Sequence, residues 1–511
     1  MTGGASAPGL PQRSRTAPVS LSATSALALL ALWLLATLGL RPLLMPDEGR
    51  YANIAREMLT ASLWVPTLNG LPFFHKPPLF YWLDMAAMQG LGVNAFAARA
   101  GAVVGAWLMG ASLFLGARHW HGPRVATIAL VALATSPFFF VGAQYANHDL
   151  LVAGLISAAV LAFARALEEP PRVHLRWLVL AWVACAVAML AKGLIGFVLP
   201  ALVIGPWMLA QRRWSQLPRL FHPLAVLAGL AVAAPWFIAI QLRFPGFFDY
   251  FFMEQHVRRF AQSSFNNLQP FWFFLLVLPL LTLPWSLWLP AALRGAWRQR
   301  SPMTSLWCWW VLVIVGFFSL PSSKLVGYVM PALVPWSIVL AQMLERSKPR
   351  HLNRMAAGAA VVCLSIVATL AWRAPHGNRA LAAVLAARLG PGDRVVMVDQ
   401  AFYDVSFYAA LAEPPVIASD WADPRLPSQD NWRKELADAG RFDPELARRV
   451  LQPLTSLPRL ACGQGTVWFV VADAKSAALQ GVPGATPVFE RGGTQLWRAP
   501  MPACAAAVAL P

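Results

Sequence analysis

Eleven long apolar runs leave this chain few ways to fold. They fall near residues 21–40, 95–117, 124–142, 149–166, 176–191, 193–210, 221–241, 271–292, 303–320, 325–344 and 355–373. Each is about long enough to cross a hydrocarbon layer as a helix, and a backbone in lipid must satisfy its own hydrogen bonds. With 58% hydrophobic and only 13% charged residues, the composition lies outside the range of soluble domains. The expected fold is mostly α, a polytopic membrane helical bundle.

The net charge of +18 invites a nucleic-acid reading, but its distribution argues against one. Residues 1–373 hold 28 Lys/Arg against 10 Asp/Glu, while residues 374–511 hold 13 of each. The excess belongs to the membrane part, where basic residues mark cytoplasmic loops. Every second loop is basic: Arg118 and Arg124; Arg165, Arg172 and Arg176; Arg212, Arg213 and Arg219; Arg294, Arg298 and Arg300; Arg346, Lys348, Arg350 and Arg354. That alternation puts residues 1–20 inside as a cytoplasmic tail and makes 21–373 the membrane domain, with outer loops 41–94 and 242–270. The first run has no small-residue cleavage pattern after it and reads as a retained span. Most of the acids before residue 374 then lie on the outer side.

After Arg373 the composition changes. Strand-like Arg394–Asp399 and Thr466–Val471 alternate with helical patterns at Asn378–Leu389 and Asp473–Leu479. This predicts an extracytoplasmic α/β domain over 374–511 with a covering or docking role. Cys185, Cys308 and Cys363 lie in apolar runs as inert core residues; Cys462 and Cys504, in the polar tail, either pair as a disulfide or stay free.

The stretch 46–82 is where the apolar chain gathers charge of both signs. From Asp47 the pattern is helical, with Tyr51, Ile54, Ala55, Met58 and Leu59 on one face. That predicts a helix lying in the interface. Asp47 either caps this helix or, with Glu48, serves chemistry. Asp149 opens a span, where an ionisable group is by default functional. Carboxylates facing one cavity can orient an acceptor or take its proton. The cations Lys76, Lys192, Arg258, Arg259 and Lys324 all fall on the outer side, either as snorkelling side chains or as a site for an anionic, phosphate-bearing substrate. Pro77 and Pro78 hold Lys76 on a rigid segment. His75, His148 and His256 lack fixed metal-ligand spacing. No cofactor is required, and a divalent metal at His75 and His256 is the alternative. The aromatic residues near Phe244–Phe252 either pack internally or line a groove for an acyl or prenyl chain.

These patches resemble the bacterial aminoarabinose transferases that modify lipid A, and more broadly the protein O-mannosyltransferase superfamily. The resemblance covers most of residues 25–345. It rests on Pro46-Asp47-Glu48-Gly49-Arg50-Tyr51-Ala52 with Ile54 to Met58; Leu68-Asn69-Gly70 with Phe73 to Leu79; Asp149; Leu190 to Gly193; His256 to Phe260; and Ser323 to Leu325 with Tyr328 to Pro331. It implies a GT-C bundle of about 11–13 transmembrane helices in the bacterial inner membrane, with the active site and C-terminal domain facing the periplasm. The implied reaction moves a sugar from an undecaprenyl-phosphate carrier to lipid A or another envelope acceptor. By the same resemblance Asp47 is the main catalytic carboxylate, with Asp149 second and Glu48 beside them. Lys76, Arg259, Arg258 and Lys324 bind carrier phosphate, and His75, His256, Arg50, Tyr51 and Lys192 lie at the periphery. Position 75 departs from the pattern, with His where these transferases usually have Glu. That change leaves the sugar open between aminoarabinose, an acidic sugar and a plain hexose. A transporter of a lipid-linked anion is the competing class, but no internal repeat is visible, and a purely structural subunit leaves the outer charges unexplained.

Overall fold

The computed structural model describes residues 21–258, 267–299, 301–373, 377–461 and 465–500. The chain opens with helices Ala23–Leu35 (α1) and Asp47–Met58 (α2), then a short hairpin of Thr67–Leu68 (β1) and Leu71–Pro72 (β2). Helices Leu79–Leu91 (α3), Ala100–Ala134 (α4), Pro137–Ala143 (α5), His148–Ala166 (α6), Leu175–Lys192 (α7), Ile195–Ala210 (α8) and Pro223–Arg243 (α9) follow. A π-helical segment, Asp249–Arg258, leads to the later helices Pro302–Ser319, Val326–Leu344 and Pro349–Arg373.

All eleven apolar runs fall on helical structure, but not each as one full-length span. Among the described residues seven helices are long and apolar enough to cross a membrane, or eight if the bent pair Phe273–Leu281 and Trp285–Arg298 is one span. That pair turns through 112° where Pro279 and Pro284 remove helical donors. The runs near 95–117 and 124–142 join in α4, which breaks direction at Gly122 before Pro123 and is followed by α5. Helix α8 carries Pro200 and Pro206 and is only 16 residues long. Apolar composition marks residence in lipid; proline decides where a helix bends or stops.

Helix α6 is the centre of the bundle, with 89% of its apolar window buried against 17% for Pro349–Arg373. It meets α4 at very close range. A Cβ at Gly105 would overlap the backbone of Leu151, and one at Gly154 would overlap the carbonyl of Gly105. Small residues at such a crossing let two backbones touch where no hydrophobic effect drives helices together. At one end of the bundle the basic loops contact one another: Arg213 Nη1 donates to Leu167 O at 2.7 Å, Gln216 Nε2 to Arg172 O at 3.0 Å, and Arg124 Nη2 to Ser347 O at 3.1 Å.

The C-terminal region is a six-stranded mixed sheet. Its strands are Arg394–Val398 (β3), Val416–Ser419 (β4), Leu451–Pro453 (β5), Thr466–Ala472 (β6), Thr486–Arg491 (β7) and Thr494–Pro500 (β8), in the order β5-β4-β3-β6-β8-β7. The first four are parallel neighbours, and β8 and β7 add an antiparallel edge. The expected strands at 394–399 and 466–471 are present, as is helix Arg379–Arg388; the segment Asp473–Leu479 is 3-10 rather than α.

Helix α2 differs from its expected setting. Instead of offering one apolar face to an interface, it is buried almost all round, including Glu48, Arg50 and Asn53. The C-terminal domain covers its other face. Tyr408 Oη accepts from Leu43 N at 2.7 Å, Arg56 Nη1 donates to Leu411 O at 2.8 Å, and a Cβ at Gly49 would press on the backbone of Asp404. The polar side of α2 meets the C-terminal domain.

Beneath α2 lies a fully buried ionic knot. Glu48 pairs with Arg41 and, at 2.9 Å, with Arg99 Nε, and accepts from Leu44 N and Ala146 N, each at 2.9 Å. Arg99 also donates to Leu38 O at 2.6 Å and Pro42 O at 3.1 Å, and Arg41 to Gln144 O at 2.6 Å. Burial pushes the Glu48 carboxyl up, but Arg99 and Arg41 outweigh it and hold the carboxyl below its ordinary value. A depressed carboxylate stabilises the fold fully above its unfolded value of about 4.3 and loses that contribution as pH falls through the folded value. Removing one partner strands the other charges, so Glu48→Gln should cost about 3–5 kcal/mol. Thermal unfolding of the purified protein at pH 7 should show that loss, and the gap between wild type and variant should narrow as the medium is acidified below about pH 4.

Candidate active site

At the end of the bundle opposite the basic loops, a cavity of about 840 Å³ opens between the helices and the C-terminal domain. Helix α2 contributes Asp47, Arg50 and Tyr51, and the segment after the hairpin contributes His75 and Lys76. The start of α6 contributes His148 and Asp149, and the end of α7 Lys192. The turn before Val326–Leu344 adds Ser323 and Leu325, and the helix Trp432–Gly440 of the C-terminal domain adds Trp432 and Glu435.

Asp47 does not cap α2; Pro46 occupies that position and Asp47 is the first helical residue. Its Oδ1 accepts from Arg50 Nη2 at 2.6 Å, and its side chain is 39% exposed, open to the cavity. Arg50 also pairs with Glu435, donates to Tyr51 Oη at 3.2 Å, and lies 4.8 Å over the Tyr51 ring. One guanidinium therefore fixes the Asp47 carboxylate and ties the C-terminal helix down over the cavity.

Asp149 sits in the first turn of α6, where Asn147 Oδ1 caps by accepting from its backbone N at 2.9 Å. Its carboxylate pairs with Lys192, whose ammonium lies 5.0 Å over the Tyr328 ring. Lys192 is thus a cavity residue rather than a snorkelling one. Gly327 packs so closely that a Cβ there would overlap Asp149 Oδ2.

His75 is 8% exposed and stacks on Phe73, with ring centroids 4.6 Å apart. Lys76 Nζ donates to His75 O at 3.0 Å. Two expected site residues lie elsewhere. Glu48 is 0% exposed and belongs to the knot under α2, not to the cavity wall; its adjacency to Asp47 in sequence turns it by about 100° around the helix. Lys324 is 3% exposed and donates to the carbonyls of Pro321 at 2.5 Å and Gln269 at 2.9 Å, so it holds a loop. Arg259 lies outside the described residues, as do the side chains of His256 and Arg258. Cys462 and Cys504 are outside them too. Among the described residues no group of three or more His, Cys, Asp or Glu side chains could hold a metal ion.

Two contributors lay beyond sequence reasoning. His148 is 1% exposed, lines the cavity, and has both ring nitrogens without a partner, its ring held by Phe80 at 4.4 Å and Tyr51 at 4.6 Å. It was visible only as one histidine among three. Glu435 carries no local motif; only the fold brings it 385 residues along the chain to Arg50. In the aromatic segment Phe247 and Phe251 are buried against Phe237, while Phe248 is exposed.

The family model described as dolichyl-phosphate-mannose-protein mannosyltransferase matches residues 75–238. The undecaprenyl phosphate-alpha-4-amino-4-deoxy-L-arabinose arabinosyl transferase of Erwinia tasmaniensis is 38% identical over 318 residues, covering 61% of this chain and 57% of that protein. Its counterpart in Aeromonas salmonicida is 35% identical over 358 residues, covering 68% and 65%. The crystal structure of ArnT from Cupriavidus metallidurans bound to undecaprenyl phosphate superposes with a TM-score of 0.81 at 23% identity, covering 95% of this chain and 98% of that one. The chain is aminoarabinose-transferase-like, with a GT-C membrane fold. In sequence it spans less than two thirds of the length of these curated relatives. The family model's match lies within the membrane domain, and the structural match, covering 95% of the chain, reaches into the C-terminal sheet.

The Arg50–Glu435 contact is a charged tie across the cavity mouth. Glu435→Gln should leave the fold intact while raising amide hydrogen exchange in Trp432–Gly440 by several-fold, with α6 unchanged as the internal control. Equal exchange in both proteins would show that the tie does not hold the cover.

Proposed function

We propose that this chain is an integral membrane glycosyltransferase that moves a sugar from an undecaprenyl-phosphate-type carrier to an extracytoplasmic acceptor, lipid A first among them. The observation that carries the reading is the gathering of Asp47, Asp149, Lys76 and Lys192 from four segments around one cavity, at the end of the bundle opposite the basic loops. Basic loops mark the cytoplasmic side. The cavity then faces the periplasm of an inner-membrane protein, where carrier-linked sugars are presented. The curated relatives, named for the same carrier and for aminoarabinose, support the donor class.

In this reading the acceptor oxygen attacks the anomeric carbon, the bond from that carbon to the carrier phosphate breaks, and the phosphate departs with the electron pair. Charge grows on the departing phosphate, which Lys76, a cavity-lining cation, would stabilise; the family resemblance gives Arg259 the same role. Asp47 faces the cavity with its carboxylate oriented by Arg50. A lipid A phosphate is already ionised near neutral pH, so Asp47 positions such an acceptor; a hydroxyl acceptor would give it a proton. Asp149, paired to Lys192, orients the sugar or the acceptor from the first turn of α6. His75 replaces the usual acid beside the phosphate site, so the sugar is 4-amino-4-deoxy-L-arabinose or a relative with different charge.

Two measurements test this. Mass spectrometry of lipid A and of envelope glycans should show an added sugar in cells carrying the protein, lost by about 100-fold or more with Asp47→Asn. An unchanged envelope in both would sink the transferase reading. Gly327→Ala should push Asp149 off its place and lower transfer while leaving carrier binding near wild type; Lys76→Ala should do the reverse, weakening carrier binding about tenfold or more.

A further inference from the structure

A second cavity, lined by Pro42–Met45 where the proposed catalytic one is lined by Pro46 and Asp47, lies at the place in the C-terminal sheet where the chain changes direction. Strands β3, β4 and β5 step outward one way, and β6 lies on the other side of β3. The carboxyl ends of β3 and β6 therefore flank a topological switch point, the usual ligand crevice of open α/β sheets. Here that crevice holds about 250 Å³ and is closed by the coil Pro42–Met45 that leaves the first helix. Arg373, the last residue of helix Pro349–Arg373, stands at its edge and is exposed.

The inner wall holds a buried carboxylate and a buried amide, and among the described residues no cation pairs with the carboxylate. Asp404 is 1% exposed and Asn378 7% exposed. Asn378 Nδ2 donates to both Asp404 oxygens at 3.1 Å, which fixes the amide's orientation and turns its Oδ1 away. That Oδ1 is buried and has no hydrogen-bond partner. An unmet buried acceptor carries a real penalty unless something donates to it. Asp404 receives only amide donors, from Asn378 and its own segment, and among the described residues no cation forms an ion pair with it. The cavity therefore asks for a donor-rich cation at its inner wall and an anion at its arginine edge. It is lined by the coil between α1 and α2 and by the end of Pro349–Arg373, a helix long and apolar enough to cross a membrane.

We propose that this cavity holds the phosphoethanolamine headgroup of a phospholipid, its ammonium donating to Asn378 Oδ1 and Asp404 and its phosphate meeting Arg373. A lipid seated there touches the exit of the first helix, the end of the last helix and the C-terminal sheet together. It would fasten the domain to the bilayer.

The test uses the full-length protein and lipids that differ in one property. Phosphatidylcholine has the same phosphate but no N–H donor, and phosphatidylglycerol has hydroxyl donors but no ammonium. Native mass spectrometry of the purified protein with equimolar lipids should show phosphatidylethanolamine retained about tenfold over phosphatidylcholine, the factor of one charge-assisted hydrogen bond. Asn378→Ala should erase that preference. Arg373→Gln, at an exposed position that leaves folding alone, should weaken both lipids and keep their ratio. Equal retention of the two lipids by the wild type would overturn the proposal, as would a preference that survives Asn378→Ala or phosphatidylglycerol binding as well as phosphatidylethanolamine. Displacement by free O-phosphoethanolamine at matching concentration would overturn the lipid as source and leave a soluble ligand in its place.

Discussion

The site depends on a charge that never reaches it. Glu48 is buried with two arginines, and through Arg41, Arg99 and the backbone groups of Leu44 and Ala146 it joins four pieces of chain: the exit of α1, the start of α2, the approach to α4 and the approach to α6. Those pieces are the ones that present Asp47, on α2, and Asp149, on α6. A buried ion pair seldom adds net stability over an apolar substitute. What it supplies here is a fixed geometry, because each oxygen of one carboxylate is committed to directional donors. The proposed catalytic acids sit one residue from Glu48 and three residues from Ala146, so the knot sets their separation.

The cavity carries its charges already paired. Asp47 shares Arg50 with Glu435, and Asp149 is matched by Lys192. Such pairing makes ionised groups tolerable in a partly buried space. It also means that an anionic ligand competes with carboxylates for the same cations. A phosphate that draws on Lys192 loosens Asp149, and a change at Arg50 is felt at once by Asp47 and by the covering helix. Binding and positioning are thus coupled through shared cations.

Much of the fold was legible because lipid imposes simple rules. Apolar length marked the helical regions, and arginine alternation marked one end of the bundle; both depend on composition over many residues. The strands at 394–398 and 466–472 were legible because buried parallel strands need runs of branched apolar side chains. What was not legible depended on three-dimensional proximity. Glu48 and Lys324 read as site residues because their types suit the chemistry, yet one is turned under α2 and the other is spent on carbonyls. Helix α2 looked amphipathic, but its polar face is covered by a domain that begins more than 300 residues later. Glu435 had no signal, since a glutamate on a surface-patterned helix is ordinary until Arg50 stands opposite.

The contrast between Lys192 and Lys324 shows what decides a cation's part in such a protein. Both follow an apolar stretch on the same side of the bundle, and both read equally well as snorkelling side chains or phosphate ligands. Lys192 ends α7 beside the first turn of α6, where the nearest acceptor is a carboxylate exposed to the cavity. Lys324 lies in a turn beside Pro321 O of its own segment and Gln269 O of the neighbouring one, and it donates to both. A lysine in a non-helical turn meets unsatisfied backbone oxygens first, whereas one at a helix end finds its local carbonyls largely committed and reaches outward for a partner. Backbone satisfaction therefore sorts the outer cations before electrostatics does, leaving for chemistry those carried on regular structure.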